Sequence, residues 1–138
     1  MVIWQCDIKL LQTEFYNDCN KLLTESVYDW YVTSGFRSLD EQSILYGKYL
    51  RGGAKAAPPG KSAHNYHLAI DVVPDGDVSK PGLQMMWDIA KSVIGLKGNN
   101  PSPWIWLRTA IKNHPRLHSG WSFGDWPHIE KVNWRDYK

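Results

Sequence analysis

Leu68 to Val73 reads as a buried strand, closed by the turn signal Pro74-Asp75-Gly76. That segment limits the possible folds more than any other, because it carries a carboxylate. Asp71 follows Ala69-Ile70 directly inside the apolar run. An unpaired carboxylate buried among apolar side chains is strongly unfavourable. A bound metal ion resolves that conflict; the plainer alternative is an aspartate that merely ends a strand before a turn.

The segments around this strand do not alternate regularly between helix and strand. Asp7 to Glu25 is predicted to be helical, with Leu11, Phe15, Cys19 and Leu22 on one face. Tyr28 to Thr33 is rich in aromatic and β-branched residues and reads as a strand. Ser38 followed by Glu41 is a capping box that starts a helix carrying Ile44, Leu45, Tyr49 and Leu50 and stopping at Gly52-Gly53. Gly52 to Ala63 is a small, basic, proline-containing loop of the kind that contacts substrates. Helices are expected over Pro81 to Leu96 and Trp104 to Lys112, an irregular stretch over His114 to Trp126, and a last strand over Pro127 to Val132. This order predicts an α+β fold, a small antiparallel sheet with flanking helices. With 138 residues, 43% hydrophobic, and no repeat or linker, the chain is expected to form one domain over residues 1–138.

Charge and hydropathy exclude several function classes. A net charge of +2 is too mild for a nucleic-acid binder, and no basic-aromatic pattern is present. Mean hydropathy is -0.45. No apolar run approaches the roughly 20 residues of a spanning helix, so direct membrane insertion is not expected. The N-terminal Met-Val-Ile-Trp-Gln-Cys-Asp lacks the pattern of a secretory signal. Cys6 and Cys19 make neither a disulfide framework nor a zinc pair and read as small buried apolar residues. Eight tryptophans and seven tyrosines are many for this length, and core packing accounts for most of them. Asp75 and Asp77 lack the rest of a calcium loop and read as a solvated turn.

Metal-capable side chains concentrate in two segments, Ser62-Ala63-His64-Asn65-Tyr66-His67-Leu68-Ala69-Ile70-Asp71 and Asp125-Trp126-Pro127-His128-Ile129-Glu130. If they converge, two histidines and a carboxylate supply three ligands, the number typical of catalytic rather than structural zinc. His114 and His118 stand outside any motif, and no site role is expected for them.

The pattern Ser-x-His-x-x-x-x-Ala-x-Asp, followed far downstream by Asp-x-x-His, resembles the zinc D-Ala-D-Ala carboxypeptidase and L-alanyl-D-glutamate peptidase family. Ser34-Gly35-Phe36-Arg37-Ser38 with Gln42 resembles that family's upstream segment. The three motifs occur in the family's order over Tyr28 to Lys138, and the short form is most similar to the phage endolysin branch. Hedgehog domains share the architecture. The resemblance implies Zn2+ held by His64, Asp71 and His128, Asp125 as general base, and Arg37 facing the oxyanion or a substrate carboxylate. Ser62 either caps a turn or hydrogen-bonds substrate, Gln42 and Trp126 are candidate substrate contacts, and Trp121 and Trp126, beside Asp125, either pack in the core or form the cleft wall. Glu130, two residues beyond His128 on a strand and so on the same face, is the alternative base. One departure is His67, where the family has glycine, a tight backbone position.

The function implied is hydrolysis of a peptidoglycan stem peptide, at L-Ala–D-Glu, by a monomeric phage endolysin held in the host cytoplasm until it is released to the wall. The alternatives are a D-alanyl-D-alanine carboxypeptidase and a metal-bearing wall-binding module without activity. An intact Asp125 argues against the last, since a pure binder needs no base.

Overall fold

The computed structural model describes residues 1–75 and 102–137. The helix predicted over Pro81 to Leu96 lies outside them. Five strands form one sheet in the order β1-β2-β3-β5-β4: β1 (Val2–Trp4), β2 (Trp30–Ser34), β3 (Ala69–Pro74), β4 (Leu117–Gly120) and β5 (Asp125–Lys131). All neighbours run antiparallel except β1, which joins β2 in parallel at the edge. The helices described are α1 (Thr13–Thr24), α2 (Leu39–Leu50) and α3 (Ser102–Lys112).

The central strand is β3, buried throughout on one face (Ile70, Val72, Pro74) and partly buried on the other. This is why its sequence is a continuous apolar run instead of an alternating one. It pairs with β2 on one side and β5 on the other, so Asp71 stands opposite Ser34 and opposite His128. A register shift between Val32 and Ser34 brings Ser34 level with Asp71. An extra residue on one strand re-aims the side chains beyond it, as bulges near functional sites do.

The helix α1 buries Phe15, Cys19, Leu22 and Leu23, the face the spacing predicted. It is shorter than the sequence suggests. Leu11 is extended, and a separate 3-10 turn over Ile8–Leu10, capped by Asp7, precedes it. The Gln12 N–H donates to the His67 carbonyl at 3.0 Å, which ties this break to the loop before β3. The capping box of α2 is formed as expected, with Ser38 Oγ accepting from the Glu41 N–H and Glu41 accepting from the Ser38 N–H. The stretch from His114 to Trp126, expected to be irregular, contains β4 and a 3-10 turn over Trp121–Phe123.

Trp30, Trp104, Trp126 and Trp134 are core residues, and Trp4, Trp106 and Trp121 pack against them. Trp30 and Trp104 meet edge to face with ring centroids 5.9 Å apart. A fully buried large apolar side chain contributes about 1.5–3 kcal/mol, so these aromatics, with Val32, Ile70, Val72 and Ile129, make the sheet a rigid support for the polar groups on it. Cys19 is buried and Cys6 half-buried, both free. Among the described residues no helix is long and apolar enough to cross a membrane.

Candidate metal centre

The donors gather around Asp71. Its Oδ2 lies 3.4 Å from His64 Nε2, and its Oδ1 lies 3.5 Å from His128 Nδ1. The three residues each present a ligand atom within 4.8 Å of the others. Donors about 2.1 Å from one tetrahedral ion lie roughly 3.4 Å apart, so the spacing suits a single zinc-sized cation. The cluster is able to bind a metal.

Each histidine is turned by a bond on its other nitrogen. His64 sits on a 3-10 turn (Ala63–Tyr66) whose N-cap, Ser62, accepts the His64 N–H at 3.3 Å. His64 Nδ1 donates to the Gly35 carbonyl at 2.7 Å, which leaves Nε2 free to face Asp71. His128 Nε2 lies 2.7 Å from Glu130 Oε1, which leaves Nδ1 on the cluster side. Asp71 Oδ2 also accepts the Ser34 hydroxyl at 2.6 Å. Sequence reasoning placed Ser34 in a motif but gave it no role; the register shift in β2 is what aims it.

The electrostatics follow from this packing. Burial works against the Asp71 anion, but the charges and hydrogen bonds of His64 and His128 prevail and hold its carboxyl well below the usual range. Burial likewise works against the His128 cation, yet Asp71 and Glu130 outweigh it and push His128 up to about 9. The two shifts have one cause: the Asp71 and Glu130 carboxylates stabilise positive charge at His128, and a bound cation would take the place of that proton.

Asp125 and Arg37 flank the donors. Asp125 Oδ2 is 3.9 Å from His128 Nδ1, with its side chain 46% exposed. Burial and the neighbouring Asp71 raise its pKa, although His128, His64 and Arg37 pull the other way. Arg37 Nη2 lies 3.9 Å from Asp71 Oδ2. The Arg37 backbone is fixed at both ends: its N–H donates to the His64 carbonyl at 3.1 Å, and its carbonyl accepts from Asn65 Nδ2 at 2.9 Å.

Other predicted site residues hold the site instead of facing a substrate. Gln42 is buried, with Oε1 accepting from Arg37 Nη1 at 3.0 Å and Nε2 donating to the Ala57 carbonyl at 2.8 Å. Both ends of its amide are thus taken, and it links Arg37 to the basic loop. Trp126 is buried and stacked on Trp121 with centroids 3.7 Å apart, so it is a core residue and not a wall of the cleft. Glu130 lies on the far side of the His128 ring from the cluster, out of place for a base. His67 takes no part in the cluster: its Nδ1 donates to the Leu10 carbonyl at 2.6 Å and its ring stacks on Phe36 at 4.1 Å. Its φ of 65° is left-handed, which accounts for the glycine that the motif otherwise has here. His114 is remote from the cluster, packed near Arg116, whereas exposed His118 lies 3.7 Å from Glu130 Oε2.

Gly120 was not singled out from sequence. A Cβ there would run into the Asp125 carbonyl and approach His128 Cβ to 2.9 Å. Only glycine lets β4 lie this close to the start of β5, where Asp125 and His128 stand.

Fold and site together define a small α+β protein built around a three-donor metal centre. The chain belongs to the VanY D-alanyl-D-alanine carboxypeptidase family, whose model matches residues 9–104. That region holds Arg37, His64 and Asp71; Asp125 and His128 lie beyond it, and the fold brings them in. The chain is similar to the peptidoglycan L-alanyl-D-glutamate endopeptidase CwlK of Bacillus subtilis (strain 168), 32% identical over 112 residues, covering 75% of this chain and 61% of that protein. It is 36% identical over 64 residues to a D-alanyl-D-alanine carboxypeptidase of Enterococcus faecium, covering 46% of this chain and 20% of that one. The chain therefore spans less than two thirds of either curated relative. The crystal structure of the Serratia marcescens L-Ala D-Glu endopeptidase ChiX shares the fold, with TM-score 0.57 and 18% identity over 94% of this chain and 86% of that one.

Proposed function

We propose that this chain is a zinc peptidase that hydrolyses the L-Ala–D-Glu bond of the peptidoglycan stem peptide, and that it serves a bacteriophage as an endolysin. The observation that carries the reading is the His64–Asp71–His128 cluster with Asp125 and Arg37 each 3.9 Å from one of its donors. His64, Asp71 and His128 would hold the zinc, which when bound would supply Lewis-acid chemistry for the water and the scissile carbonyl. Asp125, raised in pKa and open to solvent on one side, takes the proton of the attacking water and returns it to the leaving amine. The Arg37 guanidinium, held by Gln42, faces the negative charge that develops on the carbonyl oxygen or binds a carboxylate of the stem peptide. The similarity to CwlK favours L-Ala–D-Glu as the bond.

The endolysin role rests on the likeness of the motifs to the phage branch. It implies that the protein acts from the host cytoplasm, reaching the wall only once the membrane is opened. A second reading, D-alanyl-D-alanine carboxypeptidase, is favoured by the family's description and the Enterococcus faecium match. Digestion of purified peptidoglycan by zinc-loaded protein separates the two. New N-terminal D-Glu is the expected product; free D-Ala would establish the second reading, and no released ends at any pH would sink both.

A further inference from the structure

We infer that Glu130 is a positioning residue that sets His128 as a metal ligand. The inference rests on reading the cluster as a zinc site. Glu130 and His128 are both buried, and Glu130 Oε1 accepts from His128 Nε2 at 2.7 Å. That bond fixes the tautomer with Nδ1 unprotonated when a metal occupies the cluster side. A carboxylate partner also makes the ring a stronger donor than a neutral partner does. His64 is oriented differently, by the neutral Gly35 carbonyl, so the two histidines are unequal ligands and the stronger push falls on His128.

The carboxylate is itself held. Glu130 lies in β5, paired with Ala69 of β3 on one side and His118 of β4 on the other. Its second oxygen, Oε2, lies 3.7 Å from His118 Nδ1. With Oε1 on His128 and Oε2 beside His118, Glu130 has no free oxygen directed at the cluster. Sharing a strand face with His128 does not make it a base, because the ring's two nitrogens point in opposite directions and Glu130 meets the one turned away.

The test is zinc affinity, by competition with a chromogenic chelator, together with the visible spectrum of the cobalt-substituted protein. Wild type, Glu130→Ala, Glu130→Gln and His118→Ala are compared, each checked for folding by circular dichroism. Glu130→Ala is expected to weaken zinc binding about 10–100-fold and to shift the cobalt bands. Glu130→Gln keeps an oxygen that accepts the same N–H but lacks the charge; it should retain the cobalt spectrum and recover part of the affinity. His118→Ala should stay near wild type. Should Glu130→Ala not fold, Glu130→Gln decides alone, with a several-fold weaker affinity expected. Wild-type affinity and spectrum in the Glu130 variants would overturn the inference, and if turnover were lost at the same time Glu130 would be the base. A wild type that takes up no metal would instead overturn the metal reading beneath it.

Discussion

Asp71 is held by three groups: the Ser34 hydroxyl at 2.6 Å, and the His64 and His128 rings within 3.5 Å. Asp71 was legible in the sequence because a carboxylate within an apolar strand needs a counter-charge wherever the chain places it. His64 and His128 were legible too, because their motifs are local. Ser34 was not, since its role comes from a register shift between strands far apart in the chain. Glu130 was read as the alternative base; strand periodicity gives the face it shares with His128 but not which ring nitrogen it meets. Asp125 has the opposite profile: it touches no donor closely and is half-exposed. Asp125→Asn is therefore expected to keep zinc, measured by elemental analysis, while peptidoglycan hydrolysis falls by about 10²–10⁴-fold, the usual contribution of a general base. His128→Ala should lose the metal itself. Full hydrolysis by Asp125→Asn would move the base elsewhere.

At the scale of elements, α2 and β3 were readable and β1 and β4 were not. A capping box is a local device with its own sequence pattern, and β3 is a long apolar run. By contrast, β1 has only three residues, and β4 has four, the mixed run Leu-His-Ser-Gly, too few to show a period; pairing with a neighbour makes them strands. The close approach of β4 to β5 is set by Gly120, and it positions both Asp125 and His128. Gly120→Ala should force β4 and the start of β5 apart and displace Asp125 and His128. A displacement of about 1 Å at a catalytic group can lower the rate about 10²-fold, and a loss of that order in peptidoglycan hydrolysis is expected, with far-UV circular dichroism unchanged. A fully active Gly120→Ala would show that the hairpin can spread without disturbing the site.

The molecule as a whole must bring residues from the middle of the chain and from its end to one place. Two ion pairs on α1 serve that closure. Glu14 binds Lys131 at the end of β5, 117 residues away, and Asp18 binds Arg116 just before β4, 98 residues away. Both partners flank the hairpin that carries His128. Such pairs leave no local trace in a sequence, because single charges at these separations follow no period. Asp18 receives Arg116 in a fork, Nε at 2.8 Å and Nη2 at 2.9 Å. The Arg116 hydrogen bonds lower the Asp18 pKa; burial opposes this, while the charges of Arg116, His114 and Lys131 assist. A carboxyl whose folded pKa is depressed contributes stability above its unfolded value, about 3.9, and loses it as pH falls through the folded one. Asp18→Asn should therefore lower the melting temperature near neutral pH, and the two proteins should converge as pH falls through the depressed folded-state pKa of Asp18. Added salt should narrow the gap at pH 7, because Arg116 is half-exposed. A gap that stays constant down to the acid limit would mean that Asp18 acts through packing, and that the closure of α1 onto the hairpin does not depend on this charge.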